Sequence, residues 1–305
     1  MPARARVTRI LLFAVVGAVT AAVGSATGTV PGRDGAVAFE RVLSIDPNTG
    51  ASRSSLWITS GRGGTRRLAG LSSIEAAVDA SWSPDGRVIA FAADCSFKYR
   101  LSCSSVWRVN ADGSGLRKLS TGDAQDYCPA WSPKGTRIAF TAQFAGTKNR
   151  SSGIYVMHAD GSSRKAIDRN ELDGCVSWSP DGSRLAFWRP NRLLLIHADG
   201  GGTQTIARDV GQYDAEPDWS PDGKHLAFAK QGGSSSRVYV IRSDGTELHP
   251  VAYGSSPEWS PDGRELAFAR GGEIYTIPAG GGRAVRLTRE RMHSAAHPAW
   301  QPRGG

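Results

Sequence analysis

The sequence predicts an all-β protein, a six-bladed β-propeller with four antiparallel strands per blade. Three observations lead there. Six tryptophans, Trp82, Trp131, Trp178, Trp219, Trp259 and Trp300, each open nearly the same phrase, at intervals of 49, 47, 41, 40 and 41 residues. A period near that length is the sign of one four-stranded blade per repeat. Four phrases read Trp-Ser-Pro-Asp-Gly and a fifth, at Trp131, reads Trp-Ser-Pro-Lys-Gly; all five run into Ile/Leu-Ala-Phe. A second turn recurs later in the repeat, as Ala111-Asp112-Gly113, Ala159-Asp160-Gly161, Ala198-Asp199-Gly200 and Ser243-Asp244-Gly245.

Each element of the repeat has a physical reading. The tryptophan ends a short first strand and offers a large flat surface for packing. In the Ser-Pro-Asp-Gly turn, Pro presets φ at the second position and Gly takes a positive φ without steric cost. The Ile/Leu-Ala-Phe run is apolar at consecutive positions, so the second strand is expected to be buried on both faces, as in a sheet between two other sheets. A third strand follows, for example Ile154-Tyr155-Val156-Met157 or Val238-Tyr239-Val240-Ile241. The Asp-Gly turn then makes a hairpin. A basic fourth strand closes the unit, as in Leu116-Arg117-Lys118-Leu119.

The two ends of the chain each hold part of a repeat. Gly32 to Phe39 matches the turn and second strand with no tryptophan strand before it, and Trp300-Gln301-Pro302-Arg303-Gly304 supplies a tryptophan strand and turn with nothing after it. Joined, they complete one blade. The Trp300 strand is therefore expected to latch the ring by pairing with N-terminal strands, which also removes open sheet edges.

With these phrases the chain resembles the TolB-like propellers, which carry the WD40-like Pro-Asp repeat, over roughly residues 32 to 304. That resemblance implies the fold strongly and the function only broadly. The repeat is associated with periplasmic scaffolds, with propellers joined to prolyl-oligopeptidase-like hydrolases and with some polysaccharide lyases. Two departures are expected: no α/β domain between the leader and the first repeat, and no Gly-x-Ser-x-Gly elbow, a pattern absent from the sequence.

Residues 1–26 read as a secretory signal peptide: Arg4, Arg6 and Arg9, an apolar run from Ile10 to Val23, then Gly24-Ser25-Ala26. Residues 27–305 form the propeller. A retained membrane anchor is the plainer alternative, though the run is short of the ~20 apolar residues a spanning helix needs. No span is expected after cleavage. The chain is placed outside the cytoplasm, secreted or in the periplasm and cell envelope. Four cysteines agree with an oxidising compartment. Cys95 and Cys103 bracket one loop, and Cys128 and Cys175 each lie three residues before a tryptophan in neighbouring repeats. A disulfide is expected for each pair, with free buried thiols as the alternative; the absence of Cys-x-x-Cys argues against a metal site.

The formal net charge is +9, of which the leader holds three cations. Many of the remaining cations, including Arg66, Arg67, Arg117, Lys118, Arg164, Lys165, Arg283 and Arg286, fall on fourth strands. There they deter edge pairing, and nucleic-acid binding is not expected. Both tight turns of a blade share one face, and the longer links lie on the other. Links entering the tryptophan strands are acidic, with Asp79, Asp126, Asp173, Asp214 and Glu216, whereas outer connections carry Arg41, Lys98, Arg100, Lys148 and Arg150. An acidic mouth inside a basic rim is thus expected to be the binding surface.

His297 lies three residues before Trp300, in register with Asp79, Cys128, Cys175, Glu216 and Ser256. A ring of such residues could hold a metal or polar ligand, while a hydrogen-bonded loop histidine is the blander reading. His293 and His297 lack the adjacent Glu of a metalloprotease helix, and no phosphate loop or dinucleotide fingerprint occurs. No catalytic residue, resident metal or cofactor is assigned. The expected function is a monomeric, non-enzymatic propeller that binds a protein, peptide or cell-envelope component through Asp79, Asp126, Asp173, Asp214, Glu216 and His297. The alternative is an extracellular polysaccharide lyase or hydrolase using the same residues.

Overall fold

The computed structural model describes residues 33–45, 52–59, 64–71, 74, 76–94, 104–121, 124–144, 152–170, 173–211, 216–232, 235–288 and 295–303. The leader, Cys95, Cys103, Asp214 and His293 lie outside them. The described residues form strands, turns and links, and no helix among them is long and apolar enough to cross a membrane.

The chain builds successive antiparallel four-stranded units. The first joins both ends of the chain: β1 (Arg33–Ile45), β2 (Ser52–Thr59) and β3 (Thr65–Arg67), with β24 (Ala295–Arg303) on the other side of β1. Val37 faces Trp300 and Ala38 faces Ala299 across that pairing. An eight-stranded sheet follows. It consists of β4 (Ala77–Trp82), β5 (Val88–Asp94), β6 (Ser104–Asn110) and β7 (Arg117–Lys118), then β8 (Gln125–Trp131), β9 (Arg137–Gln143), β10 (Gly153–His158) and β11 (Lys165–Ala166). Its two halves touch through a single parallel bridge between Ser104 and Gln125, so it is two repeats grazing at one corner. Three separate sheets complete the chain. They are β12 (Val176–Trp178) to β15 (Gln204–Arg208), β16 (Asp218–Trp219) to β19 (His249–Tyr253), and β20 (Ser255–Trp259) to β23 (Val285–Arg286).

Tryptophan strands touch in succession: β4 meets β8, β8 meets β12, β12 meets β16, β16 meets β20, β20 meets β24, and β24 returns to β4. Cores form between neighbouring sheets rather than within one. Trp178, Leu185 and Phe187 pack against Ala130, Ala139 and Val156 of the preceding unit, and Trp219 and Phe228 pack against Ala186 and Leu195. The second strands are buried on both faces, as their consecutive apolar residues require: Ile89, Ala90 and Phe91 are fully buried, and so are Leu226, Ala227 and Phe228. Truncating one such phenylalanine typically costs about 3–5 kcal/mol.

The serine of the repeated turn is more than a spacer. Ser179 Oγ donates to Asp181 (2.6 Å) and accepts from Arg184 N (2.9 Å), and Ser220 and Ser260 make the same pair of bonds in their own turns. At the Lys134 variant turn, Ser132 Oγ still accepts from Arg137 N at 3.0 Å. The tryptophans also stitch units together. Trp178 Nε1 donates to the Ala130 carbonyl (3.0 Å), and Trp82 Nε1 donates to Ala299 (3.1 Å), 217 residues away. Of the basic fourth-strand residues, Arg66, Arg67, Arg117, Lys118, Lys165, Arg283 and Arg286 are exposed. Arg164 departs from that expectation: it turns inward, and its guanidinium lies over Tyr155, Phe140 and Phe144 at 4.7–5.2 Å.

Candidate functional site

Five of the six residues three places before the tryptophans share a conformation as well as a register; Cys175 is the exception. Asp79, Cys128, Glu216, Ser256 and His297 all have positive φ, between 34° and 55°. Such values are uncommon for non-glycine residues, and their recurrence marks a built feature. Pairing shifts register around four of them, between Val78 and Ser81, Tyr127 and Ala130, Ser255 and Glu258, and Ala296 and Ala299. A bulge of this kind re-aims a side chain where a strand begins.

The result is a connected cluster. His297 Nδ1 lies 2.9 Å from Glu40 Oε2, and His297 Nε2 lies 3.7 Å from Glu216 Oε1, an ion-pair distance beyond hydrogen-bond reach. Asp79 Oδ2 accepts from Cys128 N at 3.0 Å. Cys128 is bonded to Cys175, with 5.2 Å between their Cα atoms, so one of the two expected disulfides is present. The other expected pair, Cys95 and Cys103, lies outside the described residues. Residues at or just before the first strands of five repeats thus gather in one buried cluster: Glu216 pairs with His297, Asp79 bonds Cys128, Cys128 bonds Cys175, and His297 and Asp79 interact by charge. All five are under 5% exposed.

Burial sets the electrostatics. It opposes charging the His297 imidazole, but Glu216, the Glu40 hydrogen bond and charge, and Asp79 outweigh it and raise the pKa to about 9. Burial also raises the Asp79 carboxyl well above the ordinary range, with His297 and the Cys128 amide acting the other way. His297 is therefore held as a buried imidazolium near neutral pH by the acidic side chains around it.

An open acidic mouth is not what these side chains form. Asp126 is fully buried and takes a two-pronged bond from Arg164, at 3.1 and 3.0 Å. Asp173 is 2% exposed and accepts from Arg189 Nε at 2.7 Å, while the same guanidinium reaches Asp168 at 2.8 Å. Burial raises both carboxyls, Asp173 to about 6, against the pull of these arginines. A carboxylate removed from water needs such a partner, which is why these acids turn inward to arginines. Asp79, Glu216 and His297 come together; Asp126 and Asp173 sit in separate pairs. Among the described residues, no group of three or more His, Cys, Asp or Glu is arranged to hold a metal ion.

Four buried acids lie outside the sequence-based expectations: Glu40, Asp218, Glu258 and Glu273. Glu40 follows Phe39 at the place where other repeats have Ala92, Thr141, Trp188, Ala229 and Ala269, so one charge in a column of uncharged residues was its only signal. Asp218, just before Trp219, is fully buried and accepts from Trp259 N at 2.7 Å, tying two adjacent first strands together.

Comparison with known proteins agrees with this architecture. The family model described as TolB beta propeller domain matches residues 106–270, more than half of the chain. Among solved structures, TolB from Acinetobacter baumannii superposes with a TM-score of 0.70 at 20% identity, covering 90% of this chain and 68% of that one. Oligogalacturonate lyase from Vibrio parahaemolyticus superposes with a TM-score of 0.51 at 11% identity, covering 85% and 87%. At these identities both likenesses speak to the fold alone. Dipeptidyl-peptidase 5 from Porphyromonas gingivalis is 33% identical over 66 residues, 21% of this chain. The chain spans only about a tenth of that protein's length.

Proposed function

The chain belongs to the TolB beta propeller domain family, and from that premise we propose that it is an exported, non-enzymatic binding propeller. In this reading its six four-stranded units close into one ring through the Trp300 strand. The face that carries the long links, opposite the tight turns, captures a protein, peptide or cell-envelope component. One observation carries the reading. The ionisable side chains gathered at the first strands are buried and matched to partners, His297 by Glu40 and Glu216, Asp126 by Arg164, Asp173 by Arg189. The centre of that face is thus an interlock that holds the links in place, and recognition falls to the links themselves. Export is supported by the leader-like residues 1–26 and by the Cys128–Cys175 bond, which belongs to an oxidising compartment.

The test is capture from cell-envelope extracts by the purified chain. Replacing residues 145–150 and 212–215 with Gly-Ser sequence, or Asp214 with Lys, should reduce capture at least tenfold while melting stays within about 2 °C of wild type. Asp199→Asn and Asp244→Asn, on the turn face, should leave capture unchanged. Undiminished capture by the link variants would sink the proposal. An enzyme acting on extracellular polysaccharide is the second reading, favoured by the likeness to the lyase. Cleavage of polygalacturonate that His297→Ala abolishes would put it first.

A further inference from the structure

A cavity of about 710 Å³ opens on the turn face, between the sheet β16–β19 and the sheet β20–β23. Its walls include Asp222, His225, Val240, His249, Trp259 and Asp262, and among the described residues no Lys or Arg lines it. The repeat explains why it is there. At two other junctions the first residue of the second strand is an arginine that lies over the tryptophan of the next unit: Arg137 over Trp178 at 4.7 Å, and Arg184 over Trp219 at 5.2 Å. His225 occupies that place at this junction, with its shorter ring tilted 35° and 6.4 Å from the Trp259 ring. Register confirms the equivalence, since Arg137, Arg184 and His225 each face the last residue of their third strand, His158, His197 and Arg242.

A second substitution widens the same gap. Arg66 and Lys165, on fourth strands, reach across their junctions to turn carbonyls of the next unit, Ala111 at 3.2 Å and Asp199 at 3.3 Å. Arg66 faces Ile58 and Lys165 faces Val156; the residue facing the matching Val240 is His249. His249 Nδ1 sits 2.9 Å from the nearby Glu247 carbonyl. Two long cations that bridge such junctions elsewhere are thus both histidines here, and the space they would fill is the cavity. The carboxylates at its rim remain. Asp222 and Asp262 each use Oδ1 to hold their own turn, with Oδ2 at 3.9 Å from Lys224 Nζ and 3.6 Å from Arg264 Nε.

We propose that this cavity binds an arginine side chain of a partner polypeptide, whose guanidinium stacks on Trp259 between Asp222 and Asp262, where Arg137 and Arg184 serve the neighbouring junctions from within the chain. Planar stacking on an indole with carboxylates at the edge suits a guanidinium better than a lysine ammonium. The site is on the opposite face from the links and is independent of the function proposed above.

The experiment follows the Trp259 indole resonance by NMR during titration with Ac-Gly-Arg-Gly-NH2. A saturable shift is expected, with at least tenfold weaker binding of the same peptide carrying citrulline or phenylalanine in place of arginine. His225→Arg should supply the guanidinium internally and abolish binding. Arg184→His should open the matching space beside Trp219 and shift that indole as well, a gain that does not depend on His225→Arg folding. Absence of a saturable shift in the wild type, equal or tighter binding of the citrulline or phenylalanine peptide, or wild-type binding by His225→Arg would each overturn the proposal.

Discussion

His297 concentrates the chemistry of single residues in this chain. Its pKa is raised to about 9 in the folded state by Glu216, Glu40 and Asp79 acting against burial, compared with about 6.5 when unfolded. A raised folded pKa contributes stability that is complete below about 6.5 and is lost as pH climbs through about 9. Asp79, whose carboxyl is also raised by burial, pushes in the same direction. Urea unfolding of the wild type should therefore weaken between pH 6.5 and 9.5, by on the order of 3 kcal/mol. His297→Gln should flatten that decline and be the less stable protein only on the acid side. Parallel pH profiles for the two proteins would contradict the assignment. The sequence located His297, Asp79 and Glu216 because repetition supplies a register. It did not reveal Glu40, which stands in a partial repeat, nor the closure of Asp126 and Asp173 onto arginines 38 and 16 residues away, because such pairing depends on three-dimensional approach.

At the scale of elements, the repeated turn links units through its glycine and proline. Gly86, at φ +68°, leaves so little room that a Cβ would lie 2.2 Å from the Pro302 carbonyl oxygen. The matching positions Gly135 and Gly263 face the prolines of the preceding turns, Pro84 at 3.1 Å and Pro221 at 3.5 Å. Gly64 has a similar φ of +78° and, among the described residues, nothing within 4 Å of an added Cβ. Gly64→Ala should thus cost only the conformational penalty, about 1–2 kcal/mol, whereas Gly86→Ala adds a backbone clash between the two ends of the chain and should cost clearly more. Chemical denaturation of both variants checks this, and equal losses would remove the proposed role of the contact. The turn and the doubly buried second strand were legible from Pro, Asp, Gly and Ile/Leu-Ala-Phe alone. The serine bridge was not, because a hydroxyl that bonds both the turn aspartate and the returning strand looks in sequence like any small turn residue.

For the whole molecule, the partial repeats at the two ends pointed to their meeting, and β24 does lie beside β1, with Trp300 opposite Val37 and the Trp82 indole bonded to Ala299. The long links were legible only as acidic and basic stretches, since little in a link's composition says which of its charges will turn inward. The proposed binding face requires that the units close into a ring holding those links in fixed relation, and in that proposal closure rests on one C-terminal strand, β24 beside β1. Thermal melting of the chain lacking residues 296–305 is the most direct test. The account predicts a fall of more than about 10 °C, or loss of a cooperative transition, because an interior strand and its contacts with β1, β4 and β20 go together. Melting at the wild-type temperature would contradict closure through the Trp300 strand.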